Sequence, residues 1–351
     1  MQRAGAALML AAAASIWGGM YAVSRVVMEQ IPPWTLLGVR LAVGGAVLLA
    51  AALVLGERMP SRAAGLLGLA GLVGPGVSLG LQFEGTHWTG ASVGALVTSA
   101  SPAFMALFGW WLLQERPNGR QFLATAAAIA GAALMALGRP EGEGTASWAG
   151  AVEVAARPFL LGVAWLVGAA LTWALYSVLV RLITTRYQVS ALLTTAVASL
   201  TGLVVALPMA LRETGPRGAL AAPAATPAPA GHGLAAALAP LLQGDPGVVA
   251  GVAYLGLVST ALAFFLWSKG LESLEAATAS LFFFLQPLVG TALGVGVLGE
   301  PASGMTWAGG ALILLGVALA SGGATGRGGR GLERVRVAGH RPYDRSARTP
   351  D

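Results

Sequence analysis

The sequence predicts an all-α integral membrane protein of ten transmembrane helices, arranged as two inverted five-helix repeats. Three observations predict it: composition, the length of the uncharged runs, and an internal duplication. Hydrophobic residues make up 56% of the 351-residue chain, charged residues 10%, and mean hydropathy is +0.73. A soluble domain carries about 25% charged residues, so a chain this apolar needs lipid around it. The uncharged runs match the roughly 20 apolar residues that carry a helix across a bilayer. No ten-residue segments of alternating polarity appear, which excludes a transmembrane barrel.

Ten spans are expected at roughly 4–28, 34–55, 63–84, 89–113, 120–138, 159–183, 188–211, 247–268, 274–299 and 304–323. The first could be misread as a signal peptide, but it is expected to be a span, because Trp17, Tyr21 and Arg25 continue a span-length helix beyond its Ala-rich start. With no cysteine in the chain, disulfides and thiolate metal sites are excluded. The +6 net charge and the pI near 10.5 raise nucleic acid as a partner, but the placement of the charges argues for the bilayer instead. With the N-terminus inside, the cytoplasmic loops hold eight Arg and Lys, and the outer loops hold four (Arg139, Arg157, Arg212 and Arg217). This is the positive-inside bias. Seven further arginines, Arg327 to Arg348, lie in a cytoplasmic tail, 324–351, whose Arg, Gly and small polar residues predict disorder and contact with anionic headgroups.

The duplication is carried by residue pairs at a constant shift. Pro102, Gly109, Glu115, Gly119, Gly131 and Gly138 match Pro287, Gly294, Glu300, Gly304, Gly316 and Gly323, 185 positions later. Trp17 and Arg25 match Trp173 and Arg181 at a shift of 156. The 29-residue difference falls on a Pro- and Ala-rich loop, 212–246, which is 35 residues long where its counterpart Gly56 to Ser61 has six. The loop is therefore an insertion in the second repeat. The domains expected are a first repeat at 4–138, an inter-repeat loop at 139–158 and a second repeat at 159–323. Each repeat holds five spans, an odd number, so the two must run oppositely through the membrane.

These residues resemble the EamA-type domain of the drug/metabolite transporter superfamily. The pattern is an Ala-rich run, Ser or Gln before Pro, then Glu thirteen residues on, then a Gly-punctuated span. It reads Ala91 to Ser101-Pro102 to Gln114-Glu115, and again Ala276 to Gln286-Pro287 to Gly299-Glu300. Trp17-Gly18 in the first span and Arg40 early in the second fit the same family. The resemblance implies a ten-helix fold and export or exchange of small metabolites or amino acids. It implies no particular substrate.

An ionisable group in mid-membrane costs about 2.5–3.5 kcal/mol by insertion measurements and marks function by default. Arg40 is such a group, with two readings open: it attracts a carboxylate to a central cavity, or it is structural, snorkelling to the outer headgroups or fixing a neighbouring helix by bonding backbone carbonyls. Arg25 and Arg181 read as snorkelling anchors at helix ends. Mid-span carboxylates are missing, including the first-helix Glu on which the related proton-coupled small multidrug exporters rely. Glu84 and Glu275 lie at span ends, and Glu115 and Glu300 read as helix-end and loop-fixing residues. The remaining candidates are uncharged. Trp17, Tyr21, Trp173, Tyr176, Tyr254 and Trp267 offer flat apolar surface with a hydrogen-bonding tip, and Gln82, Ser99 and Gln286 add polar groups. Of these, Trp17, Tyr21, Gln82, Trp173, Tyr176 and Trp267 are expected to line one cavity that favours neutral, zwitterionic or moderately apolar solutes. Pro102 and Pro287 are the expected hinges.

No phosphate-binding loop, H-E-x-x-H site or G-x-S-x-G elbow is present, so an enzyme and an ATP-driven pump both lose support. The expected function is secondary transport with no cofactor, no metal and no catalytic residue. The expected partners are a small solute and the bilayer, not nucleic acid, with a monomer or a homodimer both open. A non-transporting sensor or scaffold and a proton-coupled drug exporter are the alternatives.

Overall fold

A computed structural model describes residues 2–89, 94, 97–98, 100–115, 119–137, 156–215, 233–298 and 303–322. Ser99, Glu300, the loop 139–155, residues 216–232 of the 212–246 insertion and the tail from 323 lie outside them. The described residues are helical and contain no strand.

The chain starts with α1 (Gln2–Met28) and α2 (Pro33–Val54). Pro33 opens α2, where its missing N–H is no loss. The helix closes on Gly56 at φ +68°, with Gly56 N–H bonded to Leu53 O and Glu57 N–H to Ala52 O. A left-handed residue is required to fold those two amides back, and glycine supplies it without strain. Next come α3 (Ser61–Gly71), a π-helical stretch (Leu72–Ser78) and α4 (Leu79–Thr89), then α5 (Ser101–Leu113) and α6 (Gly119–Leu137). The second half holds α7 (Ala156–Arg186), α8 (Ala191–Thr214), two four-residue turns (Leu234–Ala237 and Ala239–Leu242, α9 and α10) and α11 (Pro246–Ala253). A second π-helical stretch (Tyr254–Leu262) leads into α12 (Ala263–Leu271), followed by α13 (Ala276–Ser280), a 3-10 turn (Leu281–Phe284), α14 (Leu285–Leu298) and α15 (Gly304–Gly322).

Six of these rods are long and apolar enough to cross a bilayer, and three shorter apolar helices accompany them: Ser101–Leu113, Ala276–Gly290 and Trp307–Gly316. The ninth span departs from the continuous helix expected at 274–299, being broken by the 3-10 turn ahead of Pro287, and much of the fourth, expected at 89–113, lies outside the described residues before Ala100. Pro102 has no N–H for the Thr98 carbonyl, and Ser101 Oγ donates to that carbonyl instead, at 2.7 Å. Pro287 likewise leaves the Phe283 carbonyl without its helical partner, directly after the tightened turn Leu281–Phe284. Both prolines therefore sit in the first turn of a helix, with the irregular backbone just upstream.

Contacts between elements map onto themselves when the halves are exchanged. α1 packs on α12 and α14 as α7 packs on α4 and α5, α2 lies along α8, and α6 lies along α15. The α2–α8 pair is antiparallel and capped at both ends by the partner's carboxylate. Glu213, ending α8, accepts from the free amides of Trp34 and Thr35 at the start of α2 (3.1 Å each). At the other end Glu57, just past α2, bonds Ser190, the residue that caps α8. Carboxylates at helix N-termini also meet the positive end of the helix dipole.

Small residues let these helices touch. An added Cβ on Gly71 would sit 2.5 Å from the Ala198 carbonyl, one on Gly256 2.7 Å from Val43, and one on Gly80 2.0 Å from the Trp34 ring. Such close approach supplies the packing energy that lipid cannot supply through a hydrophobic effect. The outside is apolar: Leu8, Val54, Phe122, Leu160 and Val204 are exposed, with Trp110 and Trp111 exposed at the end of α5. This outer surface suits lipid contact.

Candidate functional site

The indoles of Trp17 (α1) and Trp173 (α7) meet at the centre, edge to face, with ring centroids 5.2 Å apart. Phe264 and Phe283 pack on both, 5.4–5.8 Å away between centroids. Beside this cluster is a cavity of about 20 Å³ lined by Trp17, Met20, Tyr21, Leu79, Gln82, Thr98, Ser101, Ala169, Ala170, Trp173, Phe264, Phe283 and Gln286. Every described wall residue is uncharged. The space holds little more than a water in this conformation, so side chains must part to admit a ring. Ala169 and Ala170 create the space, because any larger residue there would fill it.

The wall's hydrogen bonds divide into used and unused ones. Thr98 Oγ1 donates to Gly94 O (2.7 Å), so Tyr21 is the donor in its 3.0 Å bond to Thr98 Oγ1. Trp17 Nε1 donates to the Ser259 carbonyl (3.0 Å). That carbonyl lies in the second π-helical stretch, where the helical bonding pattern is displaced and Thr260 Oγ1 bonds Leu255 O. Trp173 Nε1 is buried with no partner. The side-chain amides of Gln82 and Gln286 also face the cavity without a partner among the described residues.

Four of the six residues expected to share a cavity, Trp17, Tyr21, Gln82 and Trp173, are in its wall, with Gln286 opposite. Tyr176 and Trp267 form the layer behind. Tyr176 packs at a tilt on Trp173 (5.1 Å, 52°), and Trp267 packs on Phe283 (4.7 Å) and donates to Ser177 Oγ (3.3 Å). Tyr254 points elsewhere, its hydroxyl bonded to Ile16 O at 2.7 Å. Arg40 is fully buried but does not reach the wall; it bonds Thr260, Ser259 and Met20. Arg181 is not a snorkelling anchor. It pairs with Glu115 and donates to the carbonyls of Leu271 (2.7 Å) and Leu274, while Glu115 Oε2 accepts from Ala276 N (2.9 Å). Glu115 thus fixes a loop as expected, in a latch joining the ends of α5, α7 and α12. Glu84 accepts from Trp34 Nε1 (2.6 Å) and Trp88 Nε1 (3.2 Å) and is not part of the cavity wall.

Sequence reasoning missed Met20, Thr98, Phe264, Phe283 and the alanine pair. Nothing in their spacing separates cavity wall from packed core. One signal was available: Ser101 and Gln286, each preceding a repeat-matched proline, both line the cavity.

A polytopic helical bundle whose element contacts exchange onto one another around a small polar-aromatic cavity has the architecture of a membrane transporter. The sequence profile of the EamA-like transporter family matches residues 4–137 and again 160–322, and the chain belongs to that family. Uncharacterized transporter YwfM of Bacillus subtilis (strain 168) is 26% identical over 310 residues, 88% of this chain and 91% of the relative. An uncharacterized transporter of Archaeoglobus fulgidus is 23% identical over 316 residues, 89% of this chain and 96% of the relative. A crystal structure of a protein 23% identical in sequence superimposes with a TM-score of 0.66 over 92% of this chain and 98% of that one, a likeness of fold.

Proposed function

We propose that this chain is a secondary transporter that exports or exchanges small metabolites or amino acids across the plasma membrane by alternating access, without ATP. The ten-helix arrangement divides into inverted repeats at 4–138 and 159–323, with both termini cytoplasmic. The observation that carries the reading is the cavity itself, placed where α1 and α7 bring together the repeat-matched Trp17 and Trp173. Two similar halves of opposite orientation have two conformations of similar energy, and exchanging them opens a central site first to one side and then to the other.

The Glu115–Arg181 latch lies at the end assigned to the cytoplasm, so its closure shuts that side. Ser101 and Gln286 flank the two proline breaks, so backbone rearrangement at either hinge moves a cavity group directly. Among the described residues the wall has no acidic side chain, which gives the proton-coupled alternative no obvious proton carrier. Counterflow of radiolabelled metabolites and amino acids into protein-containing liposomes, compared with empty ones, tests the reading. Flux no greater than through empty liposomes across the panel would favour the sensor or scaffold alternative.

A further inference from the structure

A charge without a counter-ion sits one side chain behind the cavity wall. Arg40 is fully buried in α2. Its Nε donates to Thr260 Oγ1 (2.9 Å), one terminal nitrogen to Ser259 Oγ (3.2 Å) and the other to Met20 Sδ (3.1 Å). The Phe83 ring lies 5.5 Å from its central carbon. Among the described residues no carboxylate lies within ion-pair distance of it. Removing a cation from water is costly, and neutral acceptors offset that cost only in part. A thioether is the weakest acceptor of the three. Met20 is also the contact that faces the cavity, and methionine is the side chain that adapts most readily. The guanidinium's link toward the cavity is therefore the one that costs least to exchange.

The wall points to the same ligand charge. Its unused groups include the Trp173 N–H and the amides of Gln82 and Gln286, all of which can donate, and among the described residues it contains no Asp or Glu. Donors in front and a cation behind complement an anion. A solute ammonium would meet no acid, and a second negative charge would meet no second cation. Flat indole and phenyl faces select a flat body.

We propose that the transported solute is a flat aromatic monocarboxylate, and that Arg40 becomes its counter-ion when Met20 swings aside. This rests on the reading of the cavity as the solute site. Ser259 then couples binding to the backbone, because its hydroxyl holds Arg40 while its carbonyl holds Trp17. Drawing Arg40 toward the cavity pulls on the π-helical stretch that anchors the opposite wall.

The test uses benzoate, benzamide and benzamidine, three ligands of nearly one shape that are negative, neutral and positive at pH 7. Each is titrated against the purified full chain, with affinity read from the ligand-dependent thermal midpoint. Benzoate should bind at least about tenfold more tightly than benzamide, and benzamidine most weakly. Arg40→Met should remove the difference between benzoate and benzamide. Met20→Ile, whose branched side chain is stiff at χ1, should narrow it while keeping Arg40 in place, and it decides the matter if Arg40→Met does not fold. Benzamide or benzamidine binding as tightly as benzoate would overturn the proposal. So would a benzoate preference that survives in whichever of the two variants folds, or no binding by any of the three ligands. Liposome flux without benzoate preference leaves the transporter reading standing and removes this one; benzoate preference without flux does the reverse.

Discussion

Trp17 and Trp173 occupy matching points of the two halves and touch each other edge to face, at 5.2 Å and 88°, yet their N–H groups differ: Trp17 donates to Ser259 O and Trp173 has no partner. Under the proposed alternating mechanism the two halves differ in each conformation, and these indoles would record which way the symmetry is broken here. Trp17→Phe and Trp173→Phe both shorten a ring in the same cluster, so their packing losses are similar. Trp17→Phe also strands the Ser259 carbonyl, an added cost of about 1 kcal/mol. Thermal midpoints should therefore fall further for Trp17→Phe, while Trp173→Phe should weaken solute affinity. Equal midpoints would remove the asymmetry as a feature of the resting state.

Gly71 and Gly256 are repeat mates, and both mark places where helix backbones touch. A Cβ on Gly71 would lie 1.7 Å from Thr201 Oγ1 and 2.5 Å from the Ala198 carbonyl; one on Gly256 would lie 2.7 Å from Val43. Gly71→Ala should destabilise the protein by about 1–3 kcal/mol, the usual cost of overpacking, and Gly256→Ala somewhat less, because a side chain can give way more easily than a backbone. Gly65 meets nothing within 4 Å, and Gly65→Ala should leave the midpoint unchanged or slightly raised. Midpoints that do not separate the three variants would show that these crossings have slack.

Much of this was legible in the sequence because lipid imposes hard constraints. Span length, sparse charge and the Pro–Glu spacing led to a helical membrane protein of this family without any knowledge of packing. Trp17, Tyr21, Gln82 and Trp173 could be picked out because polar and aromatic side chains in mid-span avoid lipid. Hydrophobicity does not report which helix faces which. Tyr254 and Trp267 match the same chemical description as Trp17, but they lie on turns that meet Ile16 and Phe283 rather than the cavity. The two π-helical stretches, Leu72–Ser78 and Tyr254–Leu262, were also invisible. Pro75 marks the first, but the second contains no proline or other local signature. Arg181 was misjudged because its partner Glu115 is 66 residues away, on another helix.

The Glu115–Arg181 latch predicts a change in access. Both side chains are only 15% exposed, so the pair is shielded enough to matter energetically. Glu115→Gln removes the charge and weakens the grip on Ala276 N, which tethers the start of α13. A single cysteine at Ser101, in the cavity wall, should then react several-fold faster with an impermeant thiol reagent applied from the cytoplasmic side. No acceleration in inside-out vesicles would show that the latch fixes the fold and does not gate the path.

Energy coupling is the remaining question, and it turns on where the carboxylates are. A strongly proton-coupled antiporter generally needs one group that proton and solute compete for, and buried carboxylates are the usual choice. Two span-end residues, Glu84 and Glu275, were the candidates for reaching the cavity. Glu84 is held by the indole N–H groups of Trp34 and Trp88, and Glu275 is exposed beside Gln121; neither lines the wall. Flux should therefore follow the solute's own gradient, as facilitated diffusion or exchange, and respond only weakly to an imposed pH step. The measurement is solute uptake by protein-containing liposomes, with and without the step, after subtracting uptake by empty liposomes, since weak acids cross lipid unaided. Uphill accumulation that needs the protein and disappears in Glu84→Gln or Glu275→Gln would defeat the facilitator reading. It would also mean that the named carboxylate reaches the cavity in a conformation other than this one.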